Sequence, residues 1–359
     1  MSSQNIVNTR LSERSNPHQG SIADIAGLHI GHFTSSQRLT GCSVVLAPKG
    51  AVGAVDVRGA APGTRETDLL DPTNLVDKVH AVLLSGGSAF GLDAASGVMR
   101  WLDERDIGFQ TDHGCVPIVP AAVLFDLAVV REGDSPKVRP DAAAGYAACE
   151  DALYQKPLSA SQMRSMIHPL SGNVGAGAGA VVGKLFGLHR AMKGGVGHAL
   201  VKVGSWQVAA MVACNAVGDV MDPVTGKVLA GARTLDGIRL LNTQQALLAG
   251  QKAASPLAGT NTTIGVVATN ASLNKAQVKR LAMSAHDGFA RSIRPAHTLL
   301  DGDTLFAMAT CAEEGPPDMV LLTVMAAEAT AQAIVNAILF ANGVHTLRGY
   351  LPSAMELNP

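Results

Sequence analysis

The strand-like and helix-like runs of this sequence follow no regular alternation, and that order constrains the fold more than any single motif does. Short β-branched runs closed by glycine or proline, at Ser43–Ala47, Ala51–Val57 and Val79–Leu84, read as strands. Ser88–Asp103 has a helical pattern, with Phe90, Leu92, Ala95, Val98, Met99 and Leu102 recurring near 3.6-residue spacing. Two more strand-like runs, Gln207–Ala216 and Val220–Val224, lie around a turn at Gly218-Asp219, and Leu235–Gln251 reads as a helix or a loop. A strand at Thr262–Thr269, a helix at Lys275–Ile293, a strand at Thr304–Thr310 and an apolar helix at Met319–Asn342 complete the pattern. A doubly wound sheet needs strand and helix to alternate, so a layered α/β sandwich is predicted instead.

Composition narrows the partners. Of 359 residues, 47% are hydrophobic and 16% charged, which is too apolar for a disordered chain. The 28 basic and 29 acidic residues nearly cancel and form no basic cluster, so no nucleic-acid partner is expected. Five cysteines without C-x-x-C or Cys/His spacing point to a reduced compartment and no structural zinc. Residues 1–21 are polar, with no apolar run for a secretory signal; they read as a flexible arm or surface strap on a cytoplasmic protein whose body spans 22–359. Met319–Asn342 carries Glu328 and Gln332, so it reads as a buried core helix and no membrane role is expected.

Several motifs have ordinary readings. Gly175-Ala176-Gly177-Ala178-Gly179-Ala180 matches a loosened dinucleotide fingerprint, but His168-Pro169 precedes it, Val181-Val182-Gly183 follows it, and no acidic residue appears before Asp219. Tight backbone packing is the better reading, with a nucleotide-binding protein kept as a rival. Gly86-Gly87-Ser88-Ala89-Phe90 falls one glycine short of a nucleophile elbow, so Ser88 reads as the N-cap of the following helix. Gly59–Leu70 collects Arg65, Glu66 and Asp68, either to orient a substrate or as a surface turn held by its own ion pairs. The 11 histidines show no metal-ligand spacing; His297, near Asp301 and Asp303, is the one placed near chemistry.

Asn261-Thr262 sits where an irregular connector, Ser255–Asn261, becomes a strand. The sequence resembles the self-processing L-aminopeptidase/D-amidase-esterase (DmpA-type) family, which includes the β-peptidyl aminopeptidases. The likeness rests on Arg58–Asp68, Leu84–Leu92, Val116–Asp126, Asn215–Asp219 and the Asn261-Thr262 junction, and runs from about Ile22 almost to the end.

That resemblance implies a four-layer αββα sandwich of the N-terminal-nucleophile type with its own strand connectivity. It implies an inactive precursor that cuts itself between Asn261 and Thr262 into an α fragment, 1–261, and a β fragment, 262–359. Thr262 then becomes the nucleophile of an aminopeptidase or amidase-esterase acting on short peptides, amides or esters, with no metal or other cofactor. By the same resemblance Asn215 is the oxyanion asparagine and Tyr146 a second donor. Thr298 with Asp301 or Asp303 orients the new amine. Asp126 or Asp141 receives the substrate amine, Phe125 walls the side-chain pocket, and Ser88 joins the substrate-binding set. The implied particle is a homo-oligomer, a tetramer, of αβ heterodimers. An acyltransferase like the self-cleaving ornithine acetyltransferases is the closest rival.

Overall fold

A computed structural model of the chain describes residues 20–154, 170–254 and 261–357. Most of the expected N-terminal arm and most of the Ser255–Asn261 connector therefore lie outside the described residues. Nine strands form one hydrogen-bonded sheet: β1 (His29–Thr34), β2 (Gly41–Val57), β3 (Thr64–Arg65), β4 (Lys78–Ser85), β5 (Ala121–Val123), β6 (Gly195–Val203), β7 (Trp206–Cys214), β8 (Ile264–Ala271) and β9 (Thr304–Glu313). Their order is β6-β7-β8-β9-β2-β4-β5-β3, with β1 also paired to β2. The helices that cover it are α1 (Ala94–Asp103), α2 (Ala142–Tyr154), α3 (Lys275–Ser292) and α4 (Met319–Leu339).

The runs Ser43–Ala47 and Ala51–Val57, expected as two strands, are one strand of 17 residues. Pro48 offers no N–H and Gly50 has φ +74°, and the register with β4 shifts between Leu46 and Ala51. The interruption bends the strand without ending it. Its first half pairs with β1 and β4, and its second half with β9, so β2 belongs to both halves of the sheet.

Period-two alternation then sorts the side chains into three cores. Along β7, Val208, Ala210, Val212 and Cys214 face α3 and α4, where they meet Val278, Leu281, Phe289, Met325 and Ile334. The intervening Ala209, Met211 and Ala213, with Phe306 and Met308 of β9, face the other half of the sheet and its Val45, Val55, Val82 and Leu84. The outer face of that half, Val44, Leu46, Ala81 and Leu83, packs on Val98, Trp101 and Leu102 of α1 and Ala144 and Ala148 of α2. At ~1.5–3 kcal/mol for each large apolar side chain fully buried, these cores hold the layers together. The result is the expected αββα sandwich. Glycine lets its outer layer close: a methyl on Gly97 would lie 1.7 Å from the carbonyl oxygen of Ala142, so α1 and α2 touch backbone to backbone.

The helix α4 is long and apolar enough to cross a membrane by length and composition, yet 72% of its most apolar stretch is buried inside the protein, as a core helix requires. The segment Gly175–Gly177 is a buried 3-10 turn. A methyl on Gly175 would lie 2.2 Å from Ser43 Oγ and one on Gly177 2.3 Å from the Val196 nitrogen, which is the tight packing expected of it. Leu235–Gln251 contains a short helix, Thr243–Leu248. The segment after β4 departs from expectation. It enters α1 through a 3-10 turn, Ser88–Asp93, whose N-cap is Gly87 at φ +82°, so Ser88 does not cap it.

Candidate active site

Strands β8 and β9 run parallel, with Ile264 opposite Thr304. Parallel strands present their starts at the same edge, so Asn261-Thr262-Thr263 lies beside Asp301-Gly302-Asp303. All six residues are buried. The Asn261 carbonyl oxygen accepts the Gly302 N–H at 3.0 Å and the Thr262 hydroxyl at 2.5 Å. A methyl on Gly302 would lie 2.8 Å from Thr262 Oγ1 and 2.5 Å from the Ala61 carbonyl oxygen, so only glycine leaves the hydroxyl its place.

Two neighbouring segments fix this edge. Strand β7 is antiparallel to β8 and ends at Cys214, which sets Asn215 against the junction: the Thr262 N–H donates to the Asn215 carbonyl at 3.1 Å. The Asn215 side chain accepts from the Val181 N–H (3.0 Å) and from Lys184 Nζ (2.8 Å), and its Nδ2 donates to the Phe125 carbonyl (3.2 Å). From the other side, Arg58 and Gly59 donate backbone N–H groups to the Asp303 carbonyl, and Ala61 donates to that of Asp301. The Arg58–Gly63 part of the glycine motif is thus a clamp on β9. Farther along, Arg65 reaches Ser96 Oγ and Met99 Sδ, and Glu66 accepts the Val119 N–H, so the cluster is not held by its own ion pairs.

The electrostatics follow from burying charges at one edge. Burial, then the neighbouring Asp303, push the Asp301 carboxyl up to about 6, against the donors of Thr298, whose N–H and hydroxyl both reach Asp301 Oδ2 (2.9 and 2.6 Å). Asp303 accepts the Thr263 N–H at Oδ1 (2.8 Å) and both the N–H and Nδ1 of His297 at Oδ2 (3.1 and 2.8 Å). Lys184 donates to the carbonyl and side-chain oxygens of Asn215, and burial pushes its ammonium down to about 7 despite Asp301, Asp126 and Asp303 nearby. Sequence reasoning missed Lys184. Its one signal is that Gly172–Gly197, otherwise apolar and glycine-rich, carries Lys184, Arg190 and Lys193 and no acidic residue.

The structure therefore brings together Asn261, Thr262, Asn215, Thr298, Asp301 and Asp303, with the backbone of Phe125 beside them. It does not bring the others. Tyr146 lies on α2 in the outer helical layer, its hydroxyl donating to Glu104 at 2.7 Å and its ring under the Arg100 guanidinium. Asp141 is exposed and caps α2 through the Ala144 N–H (3.0 Å). Asp126 is fully buried, accepting the Thr40 hydroxyl (2.6 Å) and the Gly87 N–H (2.9 Å), so its carboxylate is used to hold the Gly86-Gly87 turn and is closed to a substrate amine. Ser88 is half-buried beyond that turn, its N–H on the Leu124 carbonyl. No group of three or more His, Cys, Asp or Glu able to hold a metal occurs among the described residues.

The chain is similar to several known proteins. It is 45% identical to an uncharacterized aminopeptidase of Mycobacterium leprae over 93% of this chain and 95% of that protein. It is 33% identical to a 6-aminohexanoate-oligomer endohydrolase of Kocuria sp. over 80% of this chain and 74% of that protein. Among solved structures, the L-aminopeptidase D-Ala-esterase/amidase of Ochrobactrum anthropi, described as a variant of the Ntn hydrolase fold, superposes with a TM-score of 0.65 at 19% identity, covering 93% of this chain and 90% of that one. The pattern of peptidase family S58 matches residues 20–351. With its αββα layers and its Asn261-Thr262 edge, the chain belongs to peptidase family S58, the DmpA-type aminopeptidases, and is a peptide-bond hydrolase.

Proposed function

We propose that the chain is an autoproteolytically activated aminopeptidase or amidase-esterase whose nucleophile is Thr262. The observation that carries this reading is the Asn261 carbonyl, whose oxygen is held by the Gly302 N–H at 3.0 Å while the Thr262 hydroxyl lies 2.5 Å away. A donor aimed at that oxygen stabilises the oxyanion that forms when Thr262 Oγ attacks the Asn261 carbonyl carbon. The C–N bond to Thr262 breaks, nitrogen takes the proton, and an ester links Asn261 to Thr262 Oγ. Water then releases the Asn261 carboxylate and a Thr262 with a free amine and hydroxyl.

The new amine stays where the amide was, against the Asn215 carbonyl that also receives Lys184 Nζ at 3.0 Å. Two cations on one carbonyl repel each other, so the amine, with a reference pKa of ~7.7–8.0, is favoured in its neutral form and serves as base for its own hydroxyl. Asn215 Nδ2 spends one N–H on Phe125 and offers the other to a substrate oxyanion. Asp303 anchors the cut end through the Thr263 N–H. The substrates are short peptides, amides or esters, and the αβ pairs work as a homo-oligomer in the cytoplasm.

Intact-mass analysis under denaturing conditions tests this. Wild type gives fragments 1–261 and 262–359, roughly 27 and 10 kDa, and Thr262→Ala gives one inactive chain. A folded, active and uncut wild type would overturn the reading. Product analysis with an added amine acceptor separates hydrolysis from acyl transfer.

A further inference from the structure

His297 is used by nothing in the scheme above, yet unfavourable features concentrate on it. Its backbone has φ +54°, a left-handed conformation that is uncommon for residues other than glycine. Its Nε2 is buried without a partner. What the residue gains is Asp303, reached by both its backbone N–H and its Nδ1. A carboxylate only accepts, so Nδ1 carries a proton toward Asp303. The ring is locked from two sides, stacked on Phe289 at 5.8 Å and 23° and edge-on to His286 at 4.9 Å.

We propose that His297 is a positioning residue that holds the Asp303 carboxylate in its grip on the Thr263 N–H. The inference rests on the reading of Thr262 as nucleophile, because the Thr263 N–H anchors the residue that follows it. Other charges face the Asp301–Asp303 pair from β7 and its neighbours: Lys184 lies near both carboxyls and Cys214 near Asp303. His286, behind His297, faces Asp56 and Arg58. His297 donates two hydrogen bonds to Asp303, one from its backbone and one from its ring.

The test is a pair of variants examined for self-cleavage by intact mass and, once cut, for kcat and KM across pH. His297→Phe keeps the stacked ring and removes the Nδ1 donor. Self-cleavage and kcat are expected to fall roughly ten- to hundredfold, the rate equivalent of one hydrogen bond to a charged group, with KM little changed. The acid limb of the pH–rate profile moves to higher pH, because an anionic pair that has lost a donor takes up its proton sooner. His297→Asn, whose amide places an N–H near the position of Nδ1, restores most of the rate and returns the limb toward its wild-type position. A His297→Phe protein that cuts itself, turns over and titrates like wild type would overturn the proposal, as would equal losses in both variants with an unmoved limb, which a purely structural role predicts. An uncut but active wild type would instead remove the underlying reading, so the two failures are distinguishable.

Discussion

Lys184 and Lys193 come from the same apolar, glycine-rich stretch, and burial pushes each ammonium down to about 7. Their surroundings differ in kind. Lys193 donates to three backbone carbonyls, of Gly177, Ala180 and Gly194, and knots the glycine turn to the strand beside it. Lys184 donates to Asn215 and lies near Asp301, Asp126 and Asp303, which ties it to the Thr262 edge. A depressed lysine pKa therefore marks burial, and only the partners say whether the group serves chemistry or architecture.

The comparison breaks if the two lysines exchange roles under substitution. Lys193→Met leaves three buried carbonyls without their donor and should cost about 3–5 kcal/mol, read as a large drop in denaturant midpoint, while the protein that remains folded still cuts itself. Lys184→Met should slow self-cleavage and turnover about a hundredfold, measured by mass and by rate, with a much smaller loss of stability than Lys193→Met. A smaller effect sharpens the charge assignment. Asp301 is raised to about 6 from an ordinary 3.8, so between those values the folded state binds more protons than the unfolded one, and stability falls as pH rises through that window. Asp301→Asn should flatten this slope in chemical denaturation at pH 4 to 6.5.

Much of the fold was legible in the chain because its strands fall on short apolar runs separated by turn residues, and the Thr262 junction falls where a strand begins. Pro48 and Gly50 looked like a boundary between strands, but a long strand absorbs such a pair as a bulge when both of its halves have partners. The site was legible only in part. Asn215, Asp301 and Asp303 stand next to recognisable strand ends, whereas Lys184 reaches Asn215 across 31 residues of sequence and no local pattern announces that contact. Asp126 and Asp141 show the opposite error. A carboxylate that caps backbone N–H groups and one that waits for a substrate amine look alike until the acceptor's partners are seen. Tyr146 failed because a matching string on a helix does not say which face of that helix looks toward the site.

The strand order has a final consequence. Strands β8 and β9 lie after the Asn261-Thr262 junction, and they are flanked in the sheet by β7 and β2, which lie before it. A chain cut at that junction is thus an interleaved pair whose smaller piece is zipped along both edges into the larger. Such a particle melts as a unit but must refold as two molecules finding each other, so recovery after denaturation should depend on protein concentration for the cut form and be independent of it for the uncut Thr262→Ala chain. Maturation of this kind is a one-way step: the molecule keeps its shape while losing the continuous covalent path by which it first reached it.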